Sequence, residues 1–170
     1  MSIFENQRNY RNMNKIQIGI VGSTACSSQI ADIAERTGFL IARSGSILIC
    51  GGRTGVMEAA SKGAKAAGGI TVGVLPGSSK EDANSYTDVT IVTEMGHARN
   101  AIIARSSDCI IGIAGGYGTL SEIALALKMG KPVITLASQW AIEGTIKATT
   151  PEDAVECALR LLNIRKKNNI

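Results

Sequence analysis

Short apolar runs, rich in β-branched residues, alternate along the chain with stretches whose apolar positions recur at helical spacing. The runs predict six strands, at residues 15–22, 46–52, 70–76, 88–95, 108–116 and 131–137. The other stretches predict five helices, at residues 27–45, 55–69, 96–107, 118–130 and 150–167. Strands that alternate with helices are typical of an α/β protein in which helices wrap a parallel sheet.

The length and composition of the chain favour one domain. Its 170 residues, 45% of them hydrophobic, can bury one ordinary core and are too few for two comfortable ones. We predict a polar N-terminal tail at 1–14, a single nucleotide-binding domain at 15–165 and a polar C-terminal tail at 166–170. The first residues lack the apolar stretch of a signal peptide, and no apolar run reaches membrane-spanning length. We therefore expect a cytoplasmic protein with no membrane partner.

Charge and cysteine content exclude two further classes of function. Much of the net charge of +4 comes from the two polar ends, and only 4% of the residues are aromatic, whereas a nucleic-acid surface needs a basic face with aromatic side chains. The four cysteines form no CxxC pair, and His97 is the single histidine, so we expect neither a metal site nor a disulfide framework. Cys50 and Cys109 lie in apolar runs and are interpreted as small core residues.

Unusual chemistry is concentrated where four of the predicted strands end. The segments are VGSTACSS, CGGRTG, TEMGHARN and AGGYGTLSE. In open parallel sheets, ligands bind outside the carboxyl ends of the strands, near the point where strand order reverses. These four segments therefore form the candidate ligand site.

Two of these segments contain paired glycines between a strand and a helix, in GGRTGVME (51–58) and GGYGTLSE (115–122). Neither has the GxGxxG spacing of a dinucleotide site or the Gly-Lys-Ser/Thr of a P-loop. The glycines either permit a tight turn only, or let a phosphate approach the free N–H groups of the following helix. The candidate phosphate or nucleotide contacts are Gly51, Gly52, Gly55, Gly115, Gly116, Gly118 and Thr119.

The other strand ends supply charged and polar candidates. Arg99 follows a strand end, and this position distinguishes it from an ordinary solvated arginine such as Arg105. His97 has no sequence partner for a triad or a metal and is interpreted as incidental. Ser23 and Thr24 follow Gly22 at the end of the first strand, where they either contact a phosphate or ribose or cap the next helix.

Three motifs carry a resemblance to a known family. GGRTGVMEAASKGA resembles the GGxxGxMxAxxxGA segment of the LONELY GUY, or "lysine decarboxylase-like", family, and GGYGTLSE is similar to its PGGxGTxxE motif. MGHARN, which begins at Met95, resembles the MxxRK segment between them. The resemblance extends from Ile16 to Leu162 and is closest to the branch that includes molybdenum cofactor carrier proteins. Two positions depart from the motifs, since Ala114 stands in place of the proline and Asn100 in place of the lysine.

The resemblance implies a Rossmann-like three-layer α/β/α fold with a mostly parallel sheet, and a homodimer or homotetramer. It further implies hydrolysis of the N-glycosidic bond of cytokinin riboside 5′-monophosphates or of AMP, without a cofactor. Matched by motif, Glu122 and Arg99 are the catalytic pair, and Gly115, Gly116, Gly118 and Thr119 form the phosphate-binding turn. Met95 is a further candidate nucleotide contact. The carrier branch implies the alternative that the chain carries the molybdenum cofactor without chemistry.

The chemistry of the residues agrees with a phosphoribohydrolase. Breaking a ribose C1′–N bond passes through an oxocarbenium-like state, which a nearby carboxylate stabilises while it activates a water. Glu122 follows the glycine turn by one helical turn, about the length of a ribose. A pyridoxal-phosphate decarboxylase is not indicated, because such enzymes need a Schiff-base lysine and neither glycine motif contains one.

Overall fold

A seven-stranded sheet forms the middle layer of the computed structural model, which describes residues 15–168, with side chains as far as Asn163. The strands are β1 (Gln17–Gly22), β2 (Ile47–Cys50), β3 (Thr71–Leu75), β4 (Val89–Val92), β5 (Cys109–Ile113), β6 (Val133–Leu136) and β7 (Ile146–Ala148). Their order is β4-β3-β2-β1-β5-β6-β7, and every neighbouring pair is parallel.

In the described part of the chain, five α-helices cover the two faces of the sheet. They are α1 (Ser28–Arg43), α2 (Val56–Ala66), α3 (Asn100–Ser106), α4 (Tyr117–Lys128) and α5 (Pro151–Asn168). Helices α1, α2 and α5 pack on one face, and α3 and α4 on the other. The predicted Rossmann-like three-layer α/β/α fold is therefore confirmed, with a wholly parallel sheet among the described residues.

The core consists of aliphatic side chains on both faces of the central strands. Strand β5 is buried at all five positions, as expected of a strand covered by helices on both sides. Each fully buried isoleucine or leucine contributes about 1.5–3 kcal/mol to the free energy of unfolding. Cys50 and Cys109 are fully buried in this core, which confirms their interpretation.

Two glycines allow α1 and α2 to pack with their backbones close together. A Cβ on Gly38 would overlap the carbonyl of Ala60, and one on Gly63 would overlap the carbonyl of Glu35. The contact fixes α2, and with it the turn that precedes α2 at the end of β2.

The order of the connections creates a crevice between β1 and β5. The chain runs outward from β1 to β4 and then returns through α3 to place β5 on the other side of β1. The connections after β1 and β5 thus leave in opposite directions, and this reversal opens space at the carboxyl ends of these two strands.

Two elements differ from the sequence-based prediction. The short strand β7 was not predicted, because its three residues, Ile-Lys-Ala, show no apolar run. The helix predicted at 96–107 divides into a 3-10 turn (Gly96–Arg99) and α3. At the other end of the chain, Thr150 caps α5, because the N–H of Asp153 donates to the hydroxyl of Thr150 at 3.1 Å before the helix begins at Pro151.

The predicted N-terminal tail, 1–14, lies outside the described residues, as do the last two residues of the predicted C-terminal tail. Helix α5 extends through Asn168, so the described part of that C-terminal segment continues the helix. No helix within residues 15–168 is long and apolar enough to cross a membrane.

Candidate functional site

Backbone strain is found at the carboxyl edge of the sheet. Within residues 15–168, three residues other than glycine have positive φ, namely Glu94 (52°), Ala114 (47°) and Ala137 (52°). They follow the ends of β4, β5 and β6, respectively. Such conformations cost on the order of 1–3 kcal/mol each and tend to occur at functional sites. Their positions therefore indicate that the candidate site lies at this edge of the sheet.

A cavity of about 470 Å³ lies at this edge, over the crevice between β1 and β5. Its walls come from the segments that follow β1 to β5, so all four segments singled out in the sequence contribute to it. The lining residues are Gly22, Ser23, Thr24, Arg53, Met57, Pro76, Gly96, His97, Arg99, Asn100, Gly116, Gly118, Thr119 and Glu122. A larger groove, between α1 and α5, lies away from the strand ends and contains none of the predicted site residues.

Arg99 and Glu122 lie together in the cavity wall. Nη1 of Arg99 is 4.0 Å from Oε1 of Glu122, and the two side chains are only 10% and 9% exposed. Nε and Nη1 of Arg99 are buried without a hydrogen-bond partner among the described residues. A buried, unpaired donor on a charged group is costly, so the guanidinium is suited to an acceptor that a ligand would supply.

Burial shifts the proton equilibria of both groups. Loss of solvent raises the pKa of Glu122 from its ordinary 4.5 to about 7, although the charge of Arg99 acts in the opposite direction. Burial also lowers the pKa of Arg99, against the attraction of Glu122. A carboxyl group with a pKa near neutrality exchanges protons readily at physiological pH, as a general acid or base must.

The glycine turn after β5 forms an open cradle beside this pair. Helix α4 begins at Tyr117, so the N–H groups of its first turn have no partner within the helix. A Cβ built on Gly116 or Gly118 would meet no heavy atom of the described chain within 4 Å. The absence of side chains thus leaves room for a ligand at the helix N-terminus, a position that favours anions.

Not all the predicted glycines line the cavity. A Cβ on Gly51 would overlap the guanidinium of Arg99 and lie 2.6 Å from the sulfur of Met57, so Gly51 makes room for Arg99. Gly52 packs against Gly73, and Gly55 against the backbone of Ser23 and Thr24, both with positive φ.

Two further predicted residues also lie outside the cavity lining. Gly115 has a φ of 96° and packs against the Thr119 side chain, so it shapes the turn. Met95 is 48% exposed and only precedes the lining residue Gly96.

Asn100 connects the arginine segment to the glycine turn. Its Nδ2 donates to Oγ of Ser121 at 3.0 Å, and that hydroxyl donates to the carbonyl of Gly118 at 2.7 Å. Asn100 is only 6% exposed. The residue at the position of the family lysine therefore positions the turn by hydrogen bonds.

Sequence reasoning missed several residues of the cavity wall. Arg53 lies in the turn after β2, Met57 is in the first turn of α2, and Pro76 follows β3 directly, so their positions after strand ends were the available signal. His97 was interpreted as incidental, yet it lies in the wall next to Gly96. Arg105 is exposed, in agreement with its interpretation as a solvated charge. Within the described residues no group of three His, Cys, Asp or Glu side chains could hold a metal ion.

Comparison with known proteins agrees with this site. The family model described as the SLOG cluster4 family matches residues 15–162. The chain belongs to the SLOG cluster4 family. An uncharacterised protein of Archaeoglobus fulgidus is 51% identical over 143 residues, which cover 84% of this chain and 94% of that protein.

Solved structures of molybdenum cofactor proteins share this family's fold. The molybdenum cofactor binding protein from Rippkaea orientalis has a TM-score of 0.85 and 39% identity, over 89% of this chain and 99% of that one. The molybdenum cofactor carrier protein from Chlamydomonas reinhardtii has a TM-score of 0.82 and 38% identity, over 88% and 99%.

The cytokinin riboside 5′-monophosphate phosphoribohydrolase LOG5 of Arabidopsis thaliana is 36% identical over 60% of this chain and 45% of its own length. The match thus spans about half the length of LOG5. Together with the solved structures, this match confirms the resemblance to the LONELY GUY superfamily.

The departure at Ala114 has a structural reason. Its φ of 47° is unavailable to proline, and its N–H donates to the carbonyl of Leu136 at 2.9 Å, which a proline has no hydrogen to do. The turn after β5 in this chain therefore has a backbone geometry that the proline of the family motif does not fit.

Proposed function

We propose that this chain binds nucleoside 5′-monophosphates and hydrolyses their N-glycosidic bond. The observation that carries the proposal is the buried Glu122 carboxyl, 4.0 Å from an arginine with unpaired N–H groups and one helical turn past an open glycine cradle. These features match the two parts of the substrate, a phosphate and a ribose bearing the bond to be broken.

The 5′-phosphate binds at the cradle formed by Gly116 and Gly118. Free N–H groups of the first turn of α4 donate to its oxygens, and the helix dipole favours its charge. Glu122 comes four residues after Gly118, about 6 Å along the helix axis. That rise is comparable to the distance from a 5′-phosphate to the C1′ carbon, so the carboxyl is placed at the reacting end of the ribose.

Glu122 acts as the base that activates water. The water oxygen bonds to C1′ as the C1′–N bond breaks, the carboxylate accepts one proton from the water, and the leaving nitrogen takes up one proton. One water is consumed, and ribose 5-phosphate and the free base are released. The negative charge of Glu122 also stabilises the cationic transition state.

Arg99 acts on the substrate oxygens beside this centre. Its unpaired Nε and Nη1 donors are satisfied when a phosphate or ribose oxygen enters the cavity. Ligand binding thereby removes the energetic cost of the two unpaired donors of Arg99, and this gain in free energy increases the affinity for the ligand. No resident cofactor is needed for this reaction.

The decisive experiment incubates the protein with a panel of nucleoside monophosphates and separates free base and ribose 5-phosphate by chromatography. Glu122→Gln should lower turnover by at least about a hundredfold while binding persists. Arg99→Ala should lower both turnover and substrate binding. Arg105→Ala, the matched change at an exposed arginine, should leave both at the wild-type level. Hydrolysis by Glu122→Gln at the wild-type rate would exclude Glu122 as the base.

A second candidate function is a non-catalytic carrier of the molybdenum cofactor. It is favoured by the two molybdenum cofactor proteins, which align with nearly the whole of this chain and of their own. The cradle and Arg99 fit the cofactor's phosphate as well as they fit a nucleotide's. Absence of product from every monophosphate in the panel, with retained binding that Glu122→Gln alters, would favour the carrier.

We further propose that the chain assembles as a homodimer or homotetramer. Large apolar side chains are exposed along β4 and just beyond it, at Val89, Ile91, Val92 and Met95. Strand β4 is an edge of the sheet, and an exposed apolar edge strand is usually buried against another element or another copy of the chain.

A further inference from the structure

Two aromatic side chains form a pair beside the glycine turn, and neither of them lines the cavity. The ring centroids of Tyr117 and Trp140 are 5.7 Å apart, with a 43° angle between the ring planes. Tyr117 is 80% exposed and Trp140 is half-buried. The chain has only six aromatic residues, so an exposed aromatic pair beside the candidate site indicates a functional role for the pair.

One hydrogen bond joins Trp140 to the glycine turn, and a second lies within its own loop. The indole Nε1 of Trp140 donates to the carbonyl of Gly115 at 3.3 Å, and its backbone N–H donates to Oγ of Ser138 at 3.1 Å. Tyr117 lies between Gly116 and Gly118, both of which line the cavity. Tyr117 is therefore part of the cradle segment, and Trp140 is joined to that segment by a hydrogen bond and a ring contact.

The strand order places Trp140 on the side of β5 that faces away from β1. The cavity lies over the crevice between β1 and β5, whereas Trp140 follows β6, the neighbour of β5 on its other side. A phosphate in the cradle, at the end of β5, is consequently flanked by this crevice on one side and by the loop that carries Trp140 on the other. A ligand that reaches both must carry groups on both sides of its phosphates.

We propose that Tyr117 and Trp140 form a stacking subsite for the second ring of a diphosphate-linked dinucleotide. Exposed aromatic faces bind planar heterocycles by stacking, and the indole N–H is already engaged, so the subsite selects for a flat ring rather than a particular hydrogen-bond pattern. The inference rests on the proposed function only for the phosphate in the cradle.

The test uses the single tryptophan of the chain as a reporter. Tryptophan fluorescence and calorimetry are recorded for NAD, AMP and ribose 5-phosphate with the Glu122→Gln protein, in which no turnover disturbs the titration. NAD should quench the emission of Trp140 and bind more tightly than AMP, whereas ribose 5-phosphate should bind without quenching. Tyr117→Ala should weaken NAD binding by about 5- to 150-fold and leave ribose 5-phosphate unchanged. Tyr117→Phe, which keeps the ring, should retain the wild-type affinity.

Several results would overturn the subsite. They are NAD binding no tighter than AMP, NAD binding without quenching, an equal loss for all three probes in Tyr117→Ala, and binding of none of them. A change in the mass of the assembly in Tyr117→Ala would instead assign the pair to a contact between copies of the chain. The AMP hydrolysis assay with Arg99→Ala is independent of these results, so failure of the subsite and failure of the hydrolase remain distinguishable.

Discussion

Nδ2 of Asn100 lies 3.0 Å from Oγ of Ser121, and this bond ties the start of α3 to the first turns of α4. The hydroxyl of Ser121 in turn donates a hydrogen bond to the carbonyl of Gly118 at 2.7 Å. Asn100 follows Arg99 directly, so one short chain of hydrogen bonds sets the distance between the arginine and the anion cradle. The family motif has a lysine at this position, and a lysine would bring a second positive charge instead.

The Asn100–Ser121 bond should be measurable as a coupling energy. Asn100→Ala and Ser121→Ala should each lower the free energy of unfolding by about 1 kcal/mol, and the double variant should lose less than their sum. Chemical denaturation of the four proteins gives the cycle, and calorimetry with AMP shows whether the cradle has shifted. Strictly additive losses with unchanged AMP affinity would show that the bond does not position the turn.

Gly118→Ala should separate stability from binding. The added methyl meets no heavy atom and lies within a helix, so the free energy of unfolding should stay equal or rise by about 0.5–1 kcal/mol. The same methyl occupies the open cradle, so affinity for AMP should fall at least about tenfold while affinity for adenosine is retained. An unchanged ratio of AMP to adenosine affinity would place the phosphate elsewhere.

Gly51→Ala should displace the guanidinium of Arg99 from its position in the cavity wall. The new Cβ overlaps the guanidinium, which is the end of a flexible side chain and will move rather than unfold the protein. Hydrolysis should therefore fall toward the level of Arg99→Ala, with a loss of about 1–3 kcal/mol in the free energy of unfolding. Steady-state rates and thermal unfolding check both parts, and a fully active Gly51→Ala protein would contradict the role assigned to Gly51.

The strand ends were predictable from the sequence because they depend on local signals. Apolar runs predict six of the seven strands found within residues 15–168, and the rule that ligands bind at carboxyl strand ends predicts that Arg99 and Glu122 lie at one edge. The distance between them was not predictable, since it depends on how α3 and α4 pack across 23 residues of chain.

Roles that depend on tertiary contacts could not be predicted. Gly51 and Gly118 look alike in sequence, yet one faces a buried guanidinium and the other faces open space. Trp140 lies in a polar loop with no motif, and only the packing of β6 beside β5 brings it to Gly115.

The assembly can be tested by light scattering. The chain mass is 17.7 kDa, so a dimer or tetramer should give a multiple of that value at micromolar concentration. Ile91→Glu would place a charge on the exposed apolar edge strand and should shift the mass toward the monomer. A monomer mass for the wild type would exclude the proposed assembly, and an unchanged oligomer in Ile91→Glu would place the interface away from β4.

The pKa of Glu122 predicts opposite pH dependences for stability and activity. Burial raises it from 4.5 to about 7, so between these values the folded protein holds a proton that the unfolded chain has released. Stability from this group is therefore present at low pH and is lost as pH rises through about 7, by about 3 kcal/mol in total. Relative to Glu122→Gln, the wild type should lose that amount between about pH 4 and about pH 7.5 in chemical denaturation. Hydrolysis needs the carboxylate, so kcat/KM should rise with pH, reach half of its maximum near pH 7 and level off above about pH 8. Parallel stability curves for the two proteins would show that Glu122 titrates at its ordinary pKa, and a rate independent of pH in this interval would remove the carboxylate from the proposed step.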